Sequence, residues 1–249
     1  MYKIIIMNIR LEDQIGEIVA HDYRTAAVFK AKGIDFCCRG NRTLQEAIQE
    51  KGLHAESLIE ELKQVEISGK ESTSDYENWP LDLLIDYIEK KHHRYIRRQV
   101  PVLTGYLEHV MKAHGESKPE LREIQALFLE GSAELLKHIE EEEAILFPMI
   151  KDIVSVPLNV ASVSCVPLNF FKQIMTQMKS EHATEGDRWQ NIAQLTNYYQ
   201  LSGCNTMRVT YSLLKEFQDD LFLHIHLENN ILFPAAIELK NRKVSALLS

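Results

Sequence analysis

The stretch His138–Pro148, HIEEEEAILFP, recurs in altered form at His224–Pro234, HIHLENNILFP. Both segments read His-x-x-x-Glu followed by Leu-Phe-Pro. Residues four apart share one face of an α-helix, so His138 pairs with Glu142 and His224 with Glu228. Extended along its helix, each face stays apolar: Leu135, Ile145 and Met149 join the first pair, and Phe217, Leu221, Ile231 and Ala235 the second. A histidine and a carboxylate therefore look inward from each of two helices. Burying such groups without partners is costly, so they must bond each other, meet water or hold a metal. One such pair is commonly a structural hydrogen bond; two pairs in matched apolar surroundings point to a metal. By the same geometry His226 lies on another face, and Glu140, Glu141 and Glu143 point mostly to solvent.

Composition sets the frame for such a site. The chain has 249 residues, 45% of them hydrophobic, with only 10 glycines and 7 prolines. Leu, Ile, Glu, Lys and Gln recur at helical spacing, which predicts an all-α protein with an ample core. A net charge of −8 without any basic stripe argues against nucleic acid and anionic membranes as partners. The apolar run in MYKIIIMNIR (1–10) is too short for a signal peptide, and no window approaches the roughly eighteen apolar residues of a membrane span. Four cysteines, two of them adjacent, do not resemble a secreted disulfide framework. The expectation is a soluble cytoplasmic protein, monomer or homodimer.

Breakers divide the chain. Residues 1–66 carry short helical patterns: QIGEIVAHDYRTAAVFKAKG stops at Gly33, and TLQEAIQEKG has Thr43 as N-cap and Gly52 at its end. Residues 67–78 are polar, aperiodic and linker-like. Residues 79–249 hold four long helical patterns. The first opens where Asn78 can cap and Pro80 suits the first turn, and runs to Gly115, with Pro101 expected to bend or break it. The second spans about 119–151, the third 168–198 and the fourth 206–240. Four such helices make an antiparallel four-helix bundle. The apolar connection at 155–168, which repeats Val-Pro-Leu-Asn, reads as an ordered loop over one bundle end.

In an antiparallel bundle, sites late in helices two and four lie level with the early parts of helices one and three. His92, His93 and His182 stand at that level. His182 shares a face with Phe171, Met175, Met178 and Trp189, residues read as core packing. On helix one the stripe of Ile85, Ile88, Ile96, Leu103, Leu107 and Val110 runs through His92, whereas His93 sits about 80° to one side. Periodicity alone selects His92.

Taken together, His93-x-x-x-Arg97, His138-x-x-x-Glu142 with its Leu-Phe-Pro, Glu181-His182, and His224-x-x-x-Glu228 with its Leu-Phe-Pro resemble a hemerythrin-like domain over about 79–239. With the double-cysteine segment GIDFCCRGNRTLQEA (33–47), the whole chain is similar to the family of di-iron proteins called repair of iron centres. The resemblance implies two non-haem iron ions, oxo- or hydroxo-bridged, with Glu142 and Glu228 as bridges and His93, His138, His182 and His224 as terminal ligands. It selects His93 over His92. His114 matches a histidine that recurs in the family, yet it lies 21 residues beyond His93, about 31 Å along a continuous helix, which favours a structural role at the bundle end over ligation. Gly186 stands where oxygen-carrying hemerythrins place a further histidine, which leaves an open position near Glu181. The implied activity is repair of iron–sulfur clusters damaged by nitric oxide or oxidants, by donating iron to damaged iron–sulfur proteins. The alternatives at the same centre are an oxygen or nitric oxide sensor or carrier, and a nitric oxide reductase.

Adjacent Cys37 and Cys38 close a disulfide only through a strained ring and read as thiols, with Arg39 expected to favour thiolate. The resemblance adds a redox, iron-handling or nitrosylation role for the pair. Cys165 and Cys204 read as inert packing, and His21, His54 and His109 as ordinary histidines.

Overall fold

The computed structural model describes residues 9–67, 75–155 and 167–248. Most of the N-terminal run, of the linker and of the apolar loop with Cys165 lies outside these residues. By their packing the described residues form two units: one takes residues up to 80 together with 225–234, the other residues 81–224 and those from 235 on. The boundary drawn from sequence kept 225–234 wholly within the bundle; the packing of that segment assigns it to the first unit.

Among the described residues, the N-terminal part of the first unit holds the helices α1 (Ile15–His21), α2 (Thr25–Ala31), α3 (Leu44–Lys51) and α4 (Ala55–Ile67). The single helical pattern expected over 14–33 is broken at Asp22. Its carboxylate accepts from the Arg24 backbone and guanidinium, and its carbonyl accepts from Thr25 Oγ1, which turns the chain between α1 and α2. Thr43 caps α3 through a reciprocal box with Glu46, and Gly52 ends it in the left-handed region at φ 62°. Ile15, Phe29, Leu44 and Leu62 are fully buried.

The second unit is built on long rods. Rod one comprises α5 (Leu81–Tyr87), a π-helical turn (Ile88–His93) and α6 (Arg94–His114); rod two comprises α7 (Glu120–Glu141), a π-turn (Glu142–Leu146) and α8 (Phe147–Ser155). Rod three is α9 (Leu168–Leu195). Rod four runs through α10 (Asn205–His226), a π-turn (Leu227–Leu232) and α11 (Phe233–Leu248), with helical dihedrals at His226 and Phe233. The rods are antiparallel neighbours: α6 lies against α7, α5 against α8 and α7 against α9. In the core of this unit, Trp189 stacks on Phe217 at 5.2 Å, and Phe128 meets both edge-on.

Two local expectations are corrected. Helix α6 passes through Pro101 without a break, because that proline lies on the exposed face, where water can take the carbonyl freed by its missing N–H. Asn78 does not cap rod one; it closes a 3-10 turn (Tyr76–Asn78), with its amide donating to Asp75.

Three of the four rods carry a π-turn at their ligand-bearing level. Such a turn closes i→i+5 bonds and so holds one residue more than an α-turn. This insertion resolves the conflict on rod one, because both His92 and His93 are fully buried there. On rod two it moves the apolar face by one residue. Ile145, expected inward, is 50% exposed, and Leu146 is buried in its place. Pro148 and Pro234 each stand second in the α-helix that follows a π-turn, and neither has an N–H for the carbonyl four residues back. The repeated Leu-Phe-Pro thus buries two side chains and omits one α-helical bond where the wide turn ends.

Candidate metal centre

Among the described residues, six side chains form two groups of close donor atoms that share both carboxylates. His93, Glu142, His224 and Glu228 form one, and His138, Glu142, His182 and Glu228 the other. Within each group the ligand atoms lie within 4.8 Å of one another. None of the six is more than 6% exposed. Glu142 shows how the sharing works. Its Oε1 faces His138 Nε2 at 3.2 Å and His182 Nε2 at 4.0 Å, while its Oε2 faces His93 Nε2 at 3.5 Å and His224 Nε2 at 4.0 Å.

The imidazoles meet in pairs across the same space, with Nε2 atoms 3.2 Å apart for His93 and His224 and 2.9 Å for His138 and His182. The outer nitrogens decide what these contacts are. His93 Nδ1 lies 2.8 Å from the Glu143 carboxylate, and His138 Nδ1 lies 2.6 Å from that of Glu181. A neutral imidazole has one N–H, and an ionised carboxylate can only accept, so the proton of each ring sits on Nδ1. His93 and His138 therefore turn Nε2 lone pairs inward, toward the lone-pair oxygens of Glu142. Donors this close, aimed at one another and at a buried carboxylate, fit cations between them. A set of imidazole nitrogen and bridging carboxylate suits iron.

Burial pushes the Glu142 carboxyl up, but protonated imidazoles at His138, His93 and His224 outweigh it and hold the group well below the ordinary carboxylate range. With the rings neutral and their lone pairs inward, a cation between them would supply that positive charge instead. Burial likewise works against Glu143, and Arg97 and His93 overcome it, so this carboxyl also lies low. Arg97 grips Glu143 with two bonds of 2.8 and 2.9 Å, which gives the His93-x-x-x-Arg97 spacing a purpose. Glu143, expected to face solvent, is thus the anchor of His93. Glu181, expected beside an open position, instead anchors His138.

His92 belongs to neither group. Its Nδ1 lies 3.0 Å from Asp220, and its ring stacks on His224 at 5.8 Å. His114 is not among the converging donors either; its Nε2 lies 3.2 Å from Cys204 Sγ, and Cys204 is exposed rather than packed. Met175, Met178 and Trp189 are buried core.

In the first unit, Asp35, Cys37 and Cys38 form a third group of close donor atoms. Burial, then Cys38 and Asp35, push the Cys37 thiol well up, against the expectation that Arg39 favours thiolate. Sequence reasoning missed the asparagines that hold this turn. Asn229 and Asn230, in the second copy of the repeat, donate their amides to the Cys37 carbonyl at 3.2 and 3.3 Å, and Asn230 also reaches the Phe36 carbonyl. The only hint was the Asn-Asn that replaces Asn229 and Asn230's counterparts Glu143 and Ala144 in the first copy. Gly16 and Gly40 make room, since a Cβ on either would collide with Asn230 Oδ1. His226 packs on Tyr23 and Phe36, and burial lowers it to about 3, so it stays neutral.

A helical bundle with shared carboxylates and paired imidazoles defines the class of hemerythrin-like cation-binding proteins. The profile described as Hemerythrin HHE cation binding domain matches residues 84–236, and one described as a domain of unknown function, ScdA_N, matches residues 11–66. An iron-sulfur cluster repair protein YtfE of Yersinia pestis (strain Pestoides F) is 34% identical over 225 residues, covering 90% of this chain and 96% of the relative. An iron-sulfur cluster repair protein ScdA of Staphylococcus haemolyticus is 28% identical over 224 residues, covering 89% of this chain and 96% of that protein. The chain belongs to this family of iron–sulfur cluster repair proteins, built from an ScdA-type N-terminal domain and a hemerythrin domain. No helix among the described residues is long and apolar enough to cross a membrane.

Proposed function

We propose that His93, His138, Glu142, His182, His224 and Glu228 hold a pair of iron ions, and that this cytoplasmic protein repairs damaged iron–sulfur clusters by giving iron up to them. One observation carries the ligand assignment: the two oxygens of Glu142 face different histidine pairs, in each of which an outer carboxylate pins one ring with its lone pair inward. The names of the relatives support repair as the purpose. Iron bound here would supply redox-responsive metal that is cargo as much as cofactor.

The rest is done by the chain's own groups. Glu143 and Glu181 fix the rings of His93 and His138, and Arg97 fixes Glu143, so the donors are set before any ion arrives. Only two of the six donors are anionic. Such a set holds ferric iron less firmly than a carboxylate-rich one, and reduction weakens the two carboxylate contacts further by removing a unit of metal charge. Cys37 and Cys38 serve redox or iron handling in this reading, and damaged iron–sulfur proteins are the clients.

Metal analysis of the purified protein should find about two irons per chain. A chelator should strip the reduced protein faster than the oxidised one, and the iron-loaded protein should reactivate a dehydratase whose cluster has been damaged. Equal iron retention in both redox states, with no reactivation, rejects donation.

A further inference from the structure

The double-cysteine turn has the geometry of a second metal site, chemically unlike the one in the bundle. Cys37 Sγ and Cys38 Sγ stand 3.7 Å apart, and Cys37 Sγ lies 3.4 Å from Asp35 Oδ1. Two thiolates on one tetrahedral zinc-sized ion, each about 2.3 Å from it, are separated by about 3.8 Å; a thiolate and a carboxylate oxygen on the same ion are separated by about 3.6 Å. The observed spacings are within a few tenths of an ångström of both values. A disulfide, by contrast, needs its sulfurs at about 2.05 Å.

The donors are also held in place. Asp35 Oδ1 accepts from the backbone N–H of Cys37 at 3.0 Å and of Cys38 at 2.9 Å, which fixes the carboxylate against the turn. The Cys37 carbonyl is fastened from the other side by Asn229 and Asn230. Cys37 is buried and Cys38 partly exposed, so the group has an inner wall and one side open to solvent.

We propose that Asp35, Cys37 and Cys38 bind one divalent cation of borderline softness, through two thiolates and one carboxylate, with a fourth position left for water or an incoming donor. Three protein ligands and an open place characterise an exchangeable or reactive site, whereas structural zinc sites are closed by four. Binding forms two metal–sulfur bonds and releases both thiol protons to solvent, with no change of oxidation state. This site deepens the role given above to Cys37 and Cys38, and it shares no ligand with the six-residue iron centre, so either can fail without the other.

The probe is cobalt(II), added without oxygen to the full-length, iron-loaded protein carrying Cys204→Ser, which removes the exposed thiol. The expected result is a sulfur-to-cobalt charge-transfer band saturating at about one ion per chain, with about two protons released per ion. Cys37→Ser and Cys38→Ser should each abolish the band, and Asp35→Asn should weaken binding about tenfold or more. Helicity and bundle iron content report whether each variant folds. The proposal is overturned if no such band forms in the parent protein, or if it persists in the folded Cys37→Ser and Cys38→Ser variants.

Discussion

Glu142 is fully buried, and its carboxyl is held low only when the imidazoles around it carry positive charge. An ionised carboxylate in such a place is tolerable only where positive charge comes close. Its neighbours are arranged to admit that charge without supplying it, since the protons of His93 and His138 are drawn outward to Glu143 and Glu181. The outer carboxylates should therefore matter nearly as much as the ligands. Glu143→Ala removes the acceptor at His93 Nδ1, freeing the ring to rotate or to place its proton on Nε2. Iron affinity should fall about 10- to 100-fold, as measured by competition with a chelator. Glu143→Gln keeps an oxygen at Nδ1 without the charge and should lie between wild type and Glu143→Ala; unchanged affinity in both variants contradicts the anchoring role. The inward histidines and glutamates were readable because ligands four apart repeat on apolar faces. Glu143 was not, because its value depends on rod one, some 50 positions away in the chain.

The same contrast holds for whole helices. Four amphipathic rods and their approximate ends follow from periodicity, as the short third helix follows from its capping box at Thr43 and its glycine stop at Gly52. The π-turns were invisible because a period of 3.6 presupposes an α-helix throughout. Each added residue shifts every later position relative to that period, which is why Ile145 and His93 both fell on the wrong side of the expected stripe. The third rod differs at its end: α9 was expected to reach Tyr198, but three consecutive left-handed residues, Asn197 to Tyr199, stop it after Leu195. The π-turn of rod two can be tested directly. Deleting Ile145, half exposed and one residue before buried Leu146, should let the turn revert to an α-turn while α7 and α8 keep their faces. The variant should retain wild-type helicity by circular dichroism and lose most of its iron, because Glu142 opens that turn. Full iron content would show that the inserted residue does not position the ligand.

At the scale of the molecule, the most consequential turn is Leu227–Leu232. Glu228 belongs to the converging donors, and the next two residues, Asn229 and Asn230, hold the carbonyls of Cys37 and Phe36. One turn of helix thus carries Glu228 and the two asparagines that hold the double-cysteine segment, and packing assigns 225–234 to the unit containing residues 1–80. No local rule in the sequence could show this, since the contact joins positions some 190 residues apart. Metal at Glu228 should therefore steady both. An ion present at 1,000 times its dissociation constant stabilises the folded state by about 4 kcal/mol. In a chain of this size each kcal/mol is worth about 2–4 °C, so removing iron should lower the melting temperature by about 10 °C or more. Hydrogen exchange on the chelated protein should also quicken at Ile34–Gly40, not only along the rods. If exchange rises in the rods while the cysteine turn keeps its protection, the shared turn does not transmit the loss, and the two sites are mechanically independent.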